Sequence, residues 1–185
     1  MFQQTPIPRH VVIHEVGHMV VGLHLGVDEQ GIEFRESGGD LAKAWYRCAG
    51  PEQLMMRSLA GISAHVLMVP SSLEPRIRAA YLHSVLFTPD HPHYSSLSAG
   101  ELASLSGASV DLKLAHEAAS KLYPHDPEKA REALRNGEDQ VRIIIRKRLS
   151  DIERIANDVA IWAQEDDREY DGMFYHVGRA RALIC

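Results

Sequence analysis

The sequence predicts a single, mostly α-helical domain of 185 residues carrying a small β-sheet or hairpin. Apolar residues recur at helical spacing along most of the chain, and period-two alternation is confined to a short stretch after residue 30. Prolines, an aspartate and glycines punctuate the periodic runs where helices would start and stop. A chain of this length buries one core and hardly two, and its 45% hydrophobic content is that of a globular protein.

The first helix is expected to open with Pro8 at its N1 position and to close at Gly26. Residues 11–27 are Val, Ile, Leu or Met on nearly all sides, as in a buried helix. Gly17 and Gly22 each cost about 1 kcal/mol relative to alanine inside a helix, so another backbone is expected to pass close by. Gly31-Ile32-Glu33-Phe34-Arg35 then alternates as a strand does. Ser37-Gly38-Gly39-Asp40 reads as a turn, with residues 42–48 returning as a second strand.

Pro51 opens a second helix, with Leu54, Met55, Leu59, Ile62, Val66 and Leu67 near helical spacing, and Pro70 stops it. Residues 76–87 fit a helix, and 88–93 a loop by their prolines. Residues 107–122 form a clear helix. Asp126-Pro127-Glu128 is an N-cap followed by proline at N1, and Asn136-Gly137 is a stop signal. Residues 138–163 then read as one long amphipathic helix, with Val141, Ile145, Leu149, Ile152, Ala156, Val159 and Ala163 on one face, most simply turned to the core. The tail, residues 168–185, has no definite pattern. With no repeat and no linker, residues 1–185 read as one domain; residues 9–122 carry the chemistry and 126–185 form a C-terminal helical part.

A formal charge of −5 gives no reason to expect nucleic acid as a partner. Two cysteines, Cys48 and Cys185, make no disulfide framework; Cys48 reads as a small core hydrophobe, and the composition suits a reducing cytoplasm. Residues 1–8 lack the features of a secretory leader. The longest apolar segment is interrupted by His14, Glu15, His18 and His24, so no membrane span is expected. That also argues against an intramembrane zinc protease, a class that needs several spans.

The chemistry is concentrated in His14-Glu15-Val16-Gly17-His18, an H-E-x-x-H run inside the first helix. Two imidazoles four residues apart lie about 40° apart around the helix axis, so both can reach one ion. Burying them with a carboxylate costs several kcal/mol unless each finds a partner, which zinc would supply. Zinc held by neutral imidazoles lowers the pKa of its water to about 7, and Glu15 is placed to take a proton from that water as general base.

A catalytic zinc site needs a third protein ligand. His24 sits where metzincins place their last histidine, but Val21 stands where that pattern requires glycine, and an unbroken helix would turn His24 about 80° away from His14. Glu36 has a Glu-x-x-x-Asp spacing to Asp40, but in a turn rather than on a helix. Asp111 shares a helix face with Leu114, Ala115, Ala118 and Leu122, which points it into the protein. An aspartate in the first turn of a helix also compensates the helix dipole, and helix geometry alone leaves the two readings of Asp111 even.

Ser106-Gly107-Ala108-Ser109-Val110-Asp111-Leu112 resembles the second signature of the FtsH-type zinc metallopeptidase domain, close to G-A-x-x-D-L. His14 to His18 resembles the same family's H-E-A-G-H, and Leu59-Ala60-Gly61-Ile62-Ser63-Ala64 is similar to its G-G-x-x-A-E-E helix, with His65 and Val66 replacing the two acids. The resemblance covers residues 9–122. It implies Asp111 as third ligand beside His14 and His18, a zincin-like helical fold, and Zn2+ as cofactor. It also implies a metalloendopeptidase acting on protein or peptide substrates. The family's AAA+ motor has no counterpart here, since no G-x-x-x-x-G-K-[ST] loop occurs, so the expected hydrolysis is ATP-independent.

The strand at residues 31–35 is expected to align an extended substrate by edge pairing. A regulatory peptidase that cleaves one partner, such as a repressor, and a non-catalytic metal-binding interaction domain are the rival readings. Among the other histidines, His10 lies one turn before His14 and fits a rim position, and His91-Pro92-His93 could hold a second metal. His65, His83, His116, His125 and His176 have no partner legible in the sequence.

Overall fold

Helix α1, Arg9–His24, is buried on every side through its middle, and the rest of the chain is built around it. The structure is a computed structural model that describes residues 7–34, 42–69, 99–165 and 173–184. The predicted turn at 37–40, the helix at 76–87 and the loop at 88–93 lie outside the described residues, as do Glu36, Asp40, His83, His91 and His93. Among those described, the chain is mostly helical with a small antiparallel sheet.

Pro8 precedes α1 rather than opening its first turn, and its carbonyl accepts from the N–H groups of Val11 and Val12. Gly26 ends the helix as the sequence implies. Its φ of 76° is the left-handed conformation that glycine adopts without strain. The Gly26 N–H donates to Leu23 and the Val27 N–H to Gly22, the paired bonds of a Schellman motif.

Strands β1 (Glu29–Phe34) and β2 (Ala42–Tyr46) form the expected antiparallel hairpin, with Ile32 opposite Ala44 and Phe34 opposite Ala42. A third strand, β3 (Met173–His176), pairs antiparallel with β1 on its other side. The order β2-β1-β3 therefore makes β1 the central strand. This corrects the expectation that residues 31–35 offer a free edge: both sides of β1 are already paired. The inward residues Ile32, Phe34, Ala44 and Tyr175 are buried, and Trp162 packs against Phe34 and Tyr175 at ring distances of 6.0 and 5.4 Å.

Helix α2, Pro51–Met68, crosses α1 closely. A Cβ at Gly17 would lie 2.6 Å from the Ala64 Cβ and 3.0 Å from the Ala60 carbonyl oxygen, so the first glycine does admit a neighbouring backbone. Gly22 admits a side chain instead: a Cβ there would stand 1.8 Å from Glu29 Oε1.

Helix α3 spans Ala99–Leu122 and so begins earlier than residue 107. Helix α4, Pro127–Lys147, opens as predicted, with the Asp126 side chain accepting from the Lys129 N–H at 3.0 Å. It does not stop at Asn136-Gly137. A Cβ at Gly137 would meet Met55 Cε at 3.0 Å, with Met56 and Leu59 just beyond; this glycine serves the crossing of α4 over α2.

The chain breaks instead at Arg148, between α4 and α5 (Leu149–Glu165). The Arg148 N–H closes α4 on Ile144 and Ile145, while its carbonyl accepts from Asp151 and Ile152 at the start of α5. The single long helix is thus two, and Leu149 at the joint is exposed while Val141, Ile145, Ile152, Ala156, Val159 and Ala163 are buried. Cys48 is exposed, contrary to its reading as a core residue, because it follows β2 in a segment outside the packed face. A short helix, α6 (Val177–Arg181), is capped by His176 Nδ1, which accepts from the Gly178 N–H at 3.1 Å.

Candidate metal centre

Three side chains from two helices converge where α1, α2 and α3 meet. His14 and His18 leave α1 one turn apart, with Nε2 atoms 3.1 Å from each other. Asp111 Oδ2, from α3, lies 3.0 Å from each of them. His18 is the most enclosed, and His14 and Asp111 keep a modest exposure. The triangle edges approach the separation of about 3.3 Å that tetrahedral ligands have when each lies 2.0–2.1 Å from zinc. The group can hold a metal ion.

The hydrogen bonding around the triangle fits the same role. His18 donates from Nδ1–H to the Arg57 carbonyl at 2.7 Å, which leaves the Nε2 of a neutral ring as a lone pair. That lone pair faces His14 Nε2 and a carboxylate oxygen; with His14 in the same tautomer all three are acceptors, an arrangement that a shared cation satisfies. Burial opposes a charge on Asp111, but the positive charge and hydrogen bonds that His18 and His14 offer when protonated in the metal-free site outweigh it and hold the carboxyl well below the usual carboxylate range. Asp111 is therefore an anion in this setting.

Position along the helix separates the two readings of Asp111. Helix α3 is described from Ala99, so Asp111 lies at least three turns inside it, beyond the first turn where a dipole acts. Ala115 and Ala118 on its face are fully buried. The structure brings His14, His18 and Asp111 together; it leaves His24 exposed in the last turn of α1, outside the group.

Glu15 points to the sheet side of α1, where its Oε2 accepts from the Ala44 N–H at 2.6 Å. Burial pushes its pKa up to about 7; His14 and the Ala44 hydrogen bond pull it down, and the Asp111 charge reinforces the rise. A carboxyl poised near neutrality is suited to proton transfer at ordinary pH.

No family model, curated protein or solved structure matches this chain.

Several residues here have no local signal in the sequence. A Cβ on Gly61 would lie 2.4 Å from His18 Nε2 and 2.6 Å from His14 Nε2, so α2 makes room for both imidazoles. The sequence shows a glycine in a helix but not what it faces. Arg57 and Glu29 form a buried pair, with Nε donating to Oε1 at 2.6 Å and Nη2 to Oε2 at 3.0 Å. Burial raises the Glu29 pKa and Arg57 opposes the rise. Arg57 could have been noticed as a charge within an apolar helical run, but its partner could not.

His10 stacks on His65 with ring centres 5.4 Å apart, one turn from His14 and one from Gly61. Burial, then the charges of His14 and His10, push the His65 pKa down to about 4, so this ring is neutral at ordinary pH. His116 and His125 are exposed. No described helix is long and apolar enough to cross a membrane.

Proposed function

We propose that this protein is a zinc-dependent metallopeptidase that hydrolyses peptide bonds without ATP. The observation that carries the reading is the close triangle of His14, His18 and Asp111 with a buried carboxylate, Glu15, next in sequence to one of its members. Two imidazole nitrogens and one carboxylate oxygen form a donor set suited to catalytic zinc, whereas structural zinc sites are usually closed by cysteines. When bound, zinc would supply Lewis acidity and an acidified water.

The protein's own groups define the remainder of the reaction. Glu15 has Oε2 tied to the Ala44 N–H, which leaves Oε1 to take the proton of the attacking water and to return it to the leaving amine. Fixing one oxygen keeps the other from swinging away, so the base is oriented before substrate arrives. Asp111 contributes a negative charge that helps retain a dication, and the Arg57 carbonyl holds His18 in the tautomer with Nε2 unprotonated.

The FtsH-type resemblance of the segments around His14 and Asp111 points to the same chemistry. Extended protein segments or peptides are the substrates we infer. β1 is closed on both sides, so substrate pairing on the sheet would use a strand edge other than β1. An assay on a labelled, unfolded protein tests the proposal: hydrolysis stops with a chelator and returns on adding stoichiometric zinc. Hydrolysis that persists after complete metal removal would refute it.

A further inference from the structure

Arg57 touches three separate parts of the molecule that bear on the metal centre. It lies on α2, one turn before Gly61, whose missing side chain makes room for His14 and His18. Its backbone carbonyl accepts from the His18 Nδ1–H at 2.7 Å. Its guanidinium binds both oxygens of Glu29, and Nη2 reaches past them to the Ala44 carbonyl at 3.1 Å. The plane of the guanidinium also covers the Tyr46 ring, 4.3 Å from its centre.

Ala44 connects this fork to Glu15. Strand β2 pairs with β1 on one side and, among the described residues, with no strand on the other. The Ala44 N–H and C=O both turn to that open side: the N–H donates to Glu15 Oε2 at 2.6 Å, and the C=O accepts from Arg57. An edge residue with both groups left to water would be free to shift by the fraction of an ångström that orientation of a base depends on. The fork removes that freedom.

We propose that Arg57 is a positioning residue for the centre: its guanidinium, neutralised and aimed by Glu29, clamps Ala44 on the β2 edge so that the Ala44 N–H fixes the Glu15 carboxylate. The inference deepens the peptidase reading and rests on it for its kinetic consequence, though not for its structural one. The bidentate geometry explains why arginine is required. Nε and Nη2 grip both Glu29 oxygens and so aim Nη2 at the Ala44 carbonyl, whereas a lysine ammonium has no planar fork for Glu29 to orient. Gly22 belongs to the same device, because any side chain there would displace the Glu29 carboxylate that aims the fork.

The test uses Arg57→Lys and the double variant Glu29→Gln/Arg57→Met, which avoids leaving a buried charge unpaired. Each is compared with wild type for bound zinc, for kcat and KM on a labelled unfolded protein, and for hydrogen exchange at the Ala44 amide. Both variants are expected to keep one zinc per chain, since the bond to His18 comes from the backbone. Their kcat per zinc-loaded chain should fall about 10- to 100-fold with KM little changed, and Ala44 exchange should accelerate while that of Ile32, at the centre of the sheet, does not. Unchanged kcat per zinc-loaded chain together with unchanged Ala44 exchange would overturn the proposal and reduce the pair to a packing element. If wild type proves inactive on all substrates, the peptidase reading fails. The exchange comparison still decides whether Arg57 clamps Ala44.

Discussion

Asp111 Oδ2 stands 3.0 Å from His18 Nε2, although 93 positions separate the two residues in the chain. The contact joins α3 to α1 at the one place where α1 buries ionisable groups, and it turns a local pair of histidines into a three-sided site. Asp111→Ala should therefore lower zinc affinity by at least 100-fold, because it removes the anionic corner of the triangle. His24→Ala, which alters an exposed ring outside the group, should leave affinity unchanged. Calorimetric zinc titration of both variants checks the assignment, and the reverse pattern would transfer the third ligand to His24.

Gly61→Ala isolates the space that α2 leaves for the imidazoles. The added methyl would fall 2.4 Å from His18 Nε2, well inside contact distance. Helix propensity favours alanine by about 1 kcal/mol, so the variant should fold with undiminished helicity by circular dichroism. Its zinc affinity should drop at least tenfold, because the rings can escape the methyl only by opening the triangle. Full affinity in a well-folded variant would show that α2 yields instead.

Gly137 tests the packing explanation for the uninterrupted α4. Alanine there meets Met55 Cε at 3.0 Å, the far end of a flexible side chain, so Gly137→Ala should change stability by no more than about 1 kcal/mol. Valine adds branches toward Met56 and Leu59, and Gly137→Val should cost about 1–3 kcal/mol through overpacking. Urea denaturation measures both; equal effects would count against a close crossing of α4 and α2.

The raised pKa of Glu15 has a consequence for the chelated, metal-free protein. The folded-state pKa of about 7 lies above the reference value of 4.5, so the folded state holds this proton more tightly than the unfolded one. That contribution is fully present below about pH 4.5 and is lost as pH rises through 7. Glu15→Gln should thus be more stable than wild type at pH 8, by roughly 3 kcal/mol, with the gap closing at pH 4. Thermal melts of both proteins across this range provide the check, and parallel profiles would mean that Glu15 is not a buried, desolvated carboxylate.

The sequence revealed those features that depend on neighbours along the chain. The offset of four between His14 and His18 is dictated by helix geometry, and Gly26 and Asp126 announce helix ends through bonds to nearby residues. Asp111 was legible as an inward-facing carboxylate, but the helical turns before residue 107, which remove its dipole reading, were not. Gly137 was misread for the opposite reason: its local stop signal is overridden by contact with Met55, about eighty residues away. The break at Arg148 interrupts an apolar stripe that continues on both sides, so periodicity alone cannot reveal it. Arg57, Glu29 and Gly61 acquire their roles only when α2, β1 and α1 are brought together.

The most direct test of the account is the rate at which zinc-loaded wild type and Glu15→Gln cleave a labelled unfolded protein, with bound zinc measured on the same samples. We expect both to carry one zinc per chain and the variant to be slower by about 100- to 10,000-fold in kcat. Equal rates in the two proteins, or no cleavage by wild type that carries its zinc, would contradict the account.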